Sequence, residues 1–192
     1  MSCEIELKYQ LSPALAERLW TDPFLADRLL APPRKITMES RYYDTTDAAL
    51  STARISLRLR RENGVSCVTL KTPKTSHAAL SERGEWEVAA PSVEAALPTL
   101  YALGAPRLPD GPFTVHATVS FVRTTAPIQI SDTCFAMLCV DVGAFGTVPF
   151  CELELELTDG ETAVLYAFGE TLASRFSLVP EVRSKHARAR QF

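Results

Sequence analysis

Several short segments of this chain alternate apolar side chains with charged ones, and the charged positions carry glutamate, arginine and lysine rather than neutral polar residues. Glu4, Glu6 and Lys8 alternate with Ile5, Leu7 and Tyr9; Arg58 and Arg60 alternate with Leu57 and Leu59; Glu152, Glu154 and Glu156 alternate with Leu153, Leu155 and Leu157. Residues two apart on a strand share a face, so each segment predicts a strand with one apolar and one charged face. A half-exposed sheet mixes Thr, Ser, Gln and Asn into its wet face. Here carboxylate pairs recur, with Glu85 and Glu87 flanking Trp86 as a further case, while Lys71 and the arginines supply the opposite sign. Clustered carboxylates repel one another and need cations nearby. A sheet closed on itself, with its apolar side outward against helices and its charged side inward, satisfies both demands.

The punctuation of the chain fits such a closed sheet. A strand is expected over Glu4 to Leu11, then a helix opening at Ser12-Pro13 and running to about Leu30 with a break near Pro23. Strands follow over Arg41 to Thr45, Ile55 to Arg60 and Val65 to Lys71, the last two joined by the hairpin signal Asn63-Gly64. Lys74 to Ser81 reads as a polar loop, Glu85 to Val88 as a strand, and Ser92 to Leu103 as a helix containing Pro98. After a Pro- and Gly-rich loop, strands are expected over Val115 to Arg123, Ile128 to Ile130, Phe135 to Val142 and Cys151 to Leu157. Thr158-x-x-Glu161 resembles a capping box ahead of a helix with Leu165, Phe168 and Leu172 at helical spacing. The end, Val182 to Phe192, is basic. Strands outnumber helices and no domain boundary is visible, so one α+β domain over residues 1–192 is expected, an antiparallel barrel with flanking helices.

Composition narrows the function. A net charge of −3 on 192 residues gives no overall attraction for nucleic acid or a membrane surface, so any anion site must be a local cluster. The five cysteines form no C-x-x-C pair, which points to reduced thiols and a cytoplasmic setting rather than a disulfide framework or a structural zinc site. No secretory leader and no membrane-spanning apolar run is visible. Inward glutamates suit Mg²⁺ or Mn²⁺, which favour oxygen ligands. Inward Arg and Lys suit phosphate oxygens. A polyphosphate chain, whose oxygens bridge metal ions and basic residues, fits both halves.

These residues carry a family resemblance. Glu4-x-Glu6-x-Lys8 resembles the E-x-E-x-K signature of the CYTH superfamily, the triphosphate tunnel metalloenzymes. In the same order, Tyr42-Tyr43-Asp44-Thr45, Leu57-Arg58-Leu59-Arg60, Thr69-Leu70-Lys71, Arg83-Gly84-Glu85-Trp86-Glu87, Arg123, Asp141-Val142-Gly143, Glu152-x-Glu154-x-Glu156 and Ser184-Lys185 resemble its later segments. The likeness runs from Glu4 to about Arg188 and is nearest to bacterial inorganic triphosphatases. It implies an eight-stranded antiparallel tunnel, a divalent metal, and a small-molecule triphosphate substrate. Carried over, it implies Glu4, Glu6, Glu152 and Glu154 as metal ligands, with Lys8 completing the catalytic set. Lys8, Arg58, Arg60, Lys71, Arg123 and Lys185 would bind phosphates, and Glu85 and Glu87 would add a ligand or position water. One departure is Phe121, where some members carry a basic residue.

Other residues read more plainly. Glu156 reads as a solvated strand-end charge, Asp141 as a turn residue before Gly143 or an outer metal-site group, and His77, His116 and His186 as surface or incidental. Tyr42, Tyr43, Trp20 and Trp86 read as packing residues; within the basic tail only Lys185 has motif context. The expected activity is hydrolysis of tripolyphosphate to pyrophosphate and phosphate. The rivals are class IV adenylyl cyclase, thiamine triphosphatase or another nucleoside triphosphatase, and a non-enzymatic polyphosphate-binding module. The oligomeric state is not encoded in any of these patterns.

Overall fold

The structure, a computed structural model, describes residues 2–191; Met1 and Phe192, the ends of the expected domain and of the basic tail, lie outside the described residues. Strand β1 (Ser2–Gln10) opens the chain. Two short helices follow, α1 (Pro13–Arg18) and α2 (Pro23–Ala26), separated by a single 3₁₀ turn. Each starts with proline behind a capping side chain, Ser12 or Asp22, so the expected long helix is two pieces. Then come β2 (Arg34–Asp44), α3 (Ala49–Thr52), β3 (Ser56–Glu62) and β4 (Val65–Lys71). The β3–β4 hairpin turns on Asn63 and Gly64 with φ of 48° and 93°, the positive values that a two-residue turn matching strand twist requires. Within the expected polar loop lies a short strand, β5 (Thr75–His77), followed by β6 (Leu80–Ala89). Helix α4 (Val93–Ala102) holds Pro98 on its exposed side, where the carbonyl freed by the missing donor meets water.

The two strands expected between residues 115 and 130 are one, β7 (Thr114–Ser131). Pro127 is tolerated there because β2 ends its pairing at Thr125, and the Pro127 carbonyl on that side accepts instead from Leu30. Strands β8 (Cys134–Phe145) and β9 (Val148–Asp159) complete a meander, followed by α5 (Thr162–Phe176), β10 (Val179–Pro180) and α6 (Lys185–Ala189). The expected Thr158 capping box does not form; Glu161 precedes α5 and caps it with no side-chain bond.

Eight antiparallel strands run β1-β9-β8-β7-β2-β3-β4-β6 and close when β6 pairs with β1, Glu4 opposite Arg83 and Glu6 opposite Ser81. Strands β5 and β10 sit on the outside edges of β6 and β1. Closure removes the open edges that would otherwise invite aggregation. The apolar core lies outside the barrel wall. On one side Leu7, Tyr9, Leu138, Leu153 and Leu155 pack beneath Leu165, Phe168 and Leu172 of α5. On the other, Leu57, Val68, Leu70 and Trp86 pack beneath Val93, Ala96 and Leu100 of α4. Trp86 is a core residue as expected, its indole N–H donating to the Leu103 carbonyl at 3.2 Å. Burying apolar faces outside forces the alternate residues inward, which gives the charged lumen. Among the described residues no helix is long and apolar enough to cross a membrane.

Candidate active site

The lumen is a cavity of about 320 Å³ whose walls carry both signs of charge. Glu4, Glu6, Lys8, Arg58, Arg60, Lys71, Glu85, Glu87, Arg123, Glu154 and Lys185 all line it. Of the residues singled out from the sequence, Glu152 alone does not face the open space; it is fully buried in the adjoining wall.

That wall is the densest part of the site. Register places Glu152 opposite Asp141, and Asp141 opposite Arg123, across β9, β8 and β7. Arg123 grips Asp141 with two hydrogen bonds of 2.7 Å and reaches Glu154 at 2.5 Å. Lys185 of α6 lies 2.7 Å from Asp141 and 3.0 Å from Glu154, and is in direct ionic contact with Glu152. Lys8 adds a further cation 3.6 Å from Glu154. Burial would push the Glu154 carboxyl up, but Lys185, Arg123 and Lys8 overcome it and hold Glu154 well below the usual carboxylate range. In return Asp141, Glu152 and Glu154 outweigh the burial of Lys185 and hold its ammonium well above the ordinary lysine value.

The ligand chemistry fits a hard divalent cation. Asp141, Glu152 and Glu154 each offer an oxygen, and these oxygens lie within 4.8 Å of one another. Asp141 is therefore not a turn residue. It sits inside β8 and is completely buried, because Gly143, two residues on, is the member that accommodates the neighbouring strand: a Cβ there would meet Phe121 Cβ and the Ser120 carbonyl at 2.5 Å.

A second cluster joins β1, β4 and β6. Glu4 accepts from Lys71 at 2.5 Å and from Arg83 at 2.6 Å, and Glu85 lies 3.2 Å from Lys71. Burial raises the Glu4 carboxyl less than Lys71 and Arg83 lower it, leaving it at about 2. Arg83, absent from the expected site set, belongs to it, and its place two before Glu85 on the same face of β6 is the sequence signal for it. Glu156 also lines the lumen and is not a solvated strand end: burial, and then Glu4, push its carboxyl up to about 7. On the far wall, Arg58 donates to Thr69 at 3.1 Å, and Glu87 accepts from the same hydroxyl at 2.7 Å while keeping a side chain 41% exposed at the rim.

Helix α6 was not expected, and it changes the reading of the basic tail. Its turn sets Lys185 and Arg188 on one face, and Arg188 is buried in contact with Glu152. His186 is also buried and stacks on Tyr42, ring centroids 4.7 Å apart and planes 3° from parallel. Phe121 stands where some members of the resembled family carry a basic residue, and Lys185 lies over its ring at 5.0 Å, so a cation from α6 reaches that wall. Asp44, by contrast, is structural. It accepts the backbone N–H groups of Thr45, Leu50 and Ser51 and pins α3 to the end of β2.

Burial and then Arg190 lower the His186 imidazole to about 4. The unfolded chain titrates near 6.5 and so binds the extra proton first as pH falls. Stability from this group is complete above that value and is lost as pH drops from about 6.5 towards 4, at about 1.4 kcal/mol per unit. His186→Phe keeps the stack without the titration. Its thermal midpoint is expected to fall less than that of the wild type over this window; parallel curves would refute the assignment.

Comparison with known proteins agrees with this geometry. Residues 2–188 match the CYTH domain family. The inorganic triphosphatase of Haemophilus influenzae is 28% identical, over 88% of this chain and 49% of its own length, so the chain spans about half of that relative. A Hippeastrum protein described as an adenylyl cyclase with a dominant triphosphatase activity superposes with a TM-score of 0.70 at 18% identity, covering 98% of this chain and 95% of that one. An adenylate cyclase-like protein of Bacillus halodurans gives 0.61 at 22% identity, covering 98% of each chain. At such identities these two structures speak to the fold. With the barrel, its charged lumen and a family match over almost its whole length, the chain belongs to the CYTH family.

Proposed function

We propose that this chain, acting as one domain, hydrolyses inorganic tripolyphosphate to pyrophosphate and phosphate with the help of Mg²⁺ or Mn²⁺. The observation that carries this reading is the lumen wall, where Glu154, one of a buried carboxylate trio, faces the same cavity as a set of arginines and lysines. Lys8, Arg58, Arg60, Lys71, Arg123 and Lys185, joined by Arg83, would hold non-bridging phosphate oxygens and neutralise charge as the terminal P–O bond breaks. Glu152, Glu154 and Asp141 would hold the metal, and Glu4 and Glu6 on β1 would supply further ligands. A bound divalent ion would withdraw charge from the phosphate oxygens that it touches. Glu85 and Glu87 would orient the attacking water. The named relative is an inorganic triphosphatase, which supports the same activity here. Five unpaired cysteines fit a reducing, cytoplasmic setting.

A nucleotide finds little to hold its base. Tyr42 has a face covered by His186, and Phe121 is occupied by Lys185. The test is product analysis with Mg²⁺ and, in turn, tripolyphosphate, ATP and thiamine triphosphate. Tripolyphosphate is expected to give the highest kcat/KM, with pyrophosphate and phosphate as products and no cyclic AMP from ATP. A ratio favouring ATP, or cyclic AMP with pyrophosphate, would move the assignment to the cyclase branch. Tight binding with no turnover would make the domain a polyphosphate-binding module.

A further inference from the structure

A second cavity of about 320 Å³ adjoins the lumen and shares Ser56, Arg83, Ser184 and His186 with it. Its remaining walls come from the α3–β3 turn, the segment before β5, and α6. The charged side chains lining it are Arg54, Lys74, Arg83, Arg183 and Arg190, with no Asp or Glu among the described lining residues. On a chain of net charge −3 this is a strong local imbalance. Some of it is offset: Arg83 is engaged with Glu4, and Arg183 with Glu181 at 3.0 Å. Arg54 and Arg190 have no ion-pair partner among the described residues. Lys74 donates only to the Val182 carbonyl, and burial, followed by the Lys8 charge, depresses its ammonium.

At the junction sits His186, 7% exposed, whose Nε2 has no hydrogen-bond partner among the described residues. His186 thus lies in the wall common to both cavities, and its buried, unpaired Nε2 leaves an unsatisfied polar group there.

We propose that this vestibule is a second anion subsite, continuous with the tunnel, which holds the phosphate groups beyond the third of a linear polyphosphate. The proposal rests on the triphosphatase reading of the lumen and extends its substrate class to tetrapolyphosphate and longer chains. Such a chain is uniformly anionic along its length, and the hydroxyls of Ser56 and Ser184, which line both cavities, can donate to its oxygens.

The test is calorimetric titration of the EDTA-treated chain with linear tripolyphosphate and linear tetrapolyphosphate, so that binding is read without turnover. The wild type is expected to bind the longer chain about tenfold more tightly. In the variant Arg54→Ala/Arg190→Ala the ratio of the two affinities is expected to fall close to one, and Arg54→Lys/Arg190→Lys to recover most of it. Equal affinities in the wild type, or an undiminished ratio in the alanine variant, would overturn the proposal. So would a second isotherm for free inorganic phosphate on the tripolyphosphate-saturated protein without any chain-length preference, which would make the vestibule a separate anion site. A chain-length preference in protein that does not hydrolyse tripolyphosphate when Mg²⁺ is returned would sustain the subsite and sink the triphosphatase reading.

Discussion

Chelation with EDTA is expected to abolish tripolyphosphate hydrolysis, and Mg²⁺ or Mn²⁺ to restore it. The reason lies in how the acidic wall is balanced. Asp141, Glu152 and Glu154 are buried together, and Arg123, Lys185 and Arg188 are the cations that make this tolerable. Without a divalent ion, those side chains spend their charge on the protein's own carboxylates rather than on a substrate. A hard cation with an affinity for oxygen can take over the neutralisation and leave Lys185 and Arg123 to address phosphate. Activity should therefore rise with metal in a saturable manner, and the thermal midpoint should rise along the same titration as binding to the folded state is added. Full turnover in thoroughly chelated protein would sink this account. A metal-dependent rate with no accompanying shift in midpoint would place the ion on the substrate rather than on the trio.

Much of this arrangement was legible from residue spacing. Period-two alternation located β1, β3, β6 and β9, the Asn63-Gly64 hairpin signal added β4, and the structure places their charged residues Glu4, Glu6, Lys8, Arg58, Arg60, Lys71, Glu85, Glu87 and Glu154 on the lumen. Alternation is a local property that survives without tertiary context. What failed was whatever depends on distant contacts. In the sequence Asp141 stands between a turn and a metal-site role because Gly143 follows it, whereas that glycine marks close approach to Phe121 across the sheet. Helix α6 is too short to announce itself by periodicity, and its residues acquire meaning only where the chain folds back onto strands some thirty residues earlier, Arg188 on Glu152 and Lys185 on Glu154. His186 likewise looked incidental because its partner, Tyr42, is at the other end of the chain. The long β7 spans both expected strands, and Pro127 between them is accommodated because the neighbouring strand β2 has already stopped.

Glu154→Gln is expected to lower kcat on tripolyphosphate by at least about a hundredfold, beyond what losing a group that merely supports a metal ligand costs. It is also expected to destabilise the metal-free protein. Sequence alone suggests the opposite, since neutralising one of several clustered glutamates should relieve repulsion. In the fold, Glu154 faces cations: Lys185 at 3.0 Å, Arg123 at 2.5 Å and Lys8 at 3.6 Å, nearly all of them buried. Its carboxyl lies well below the usual range because these charges outweigh its burial, so the folded state strongly prefers it ionised. Glutamine keeps the shape but leaves three buried cations with one fewer counter-charge, a loss of about 3–5 kcal/mol for a broken buried pair. In a chain of this size that is a fall in thermal midpoint on the order of 10 °C. The measurement is a pair of melts in EDTA at neutral pH, with circular dichroism to establish that the variant is folded at 25 °C. A variant as stable as the wild type, or more stable, would show that repulsion among the carboxylates dominates this wall and that the cations around Glu154 contribute little. Wild-type turnover with metal bound would remove Glu154 from the active site altogether.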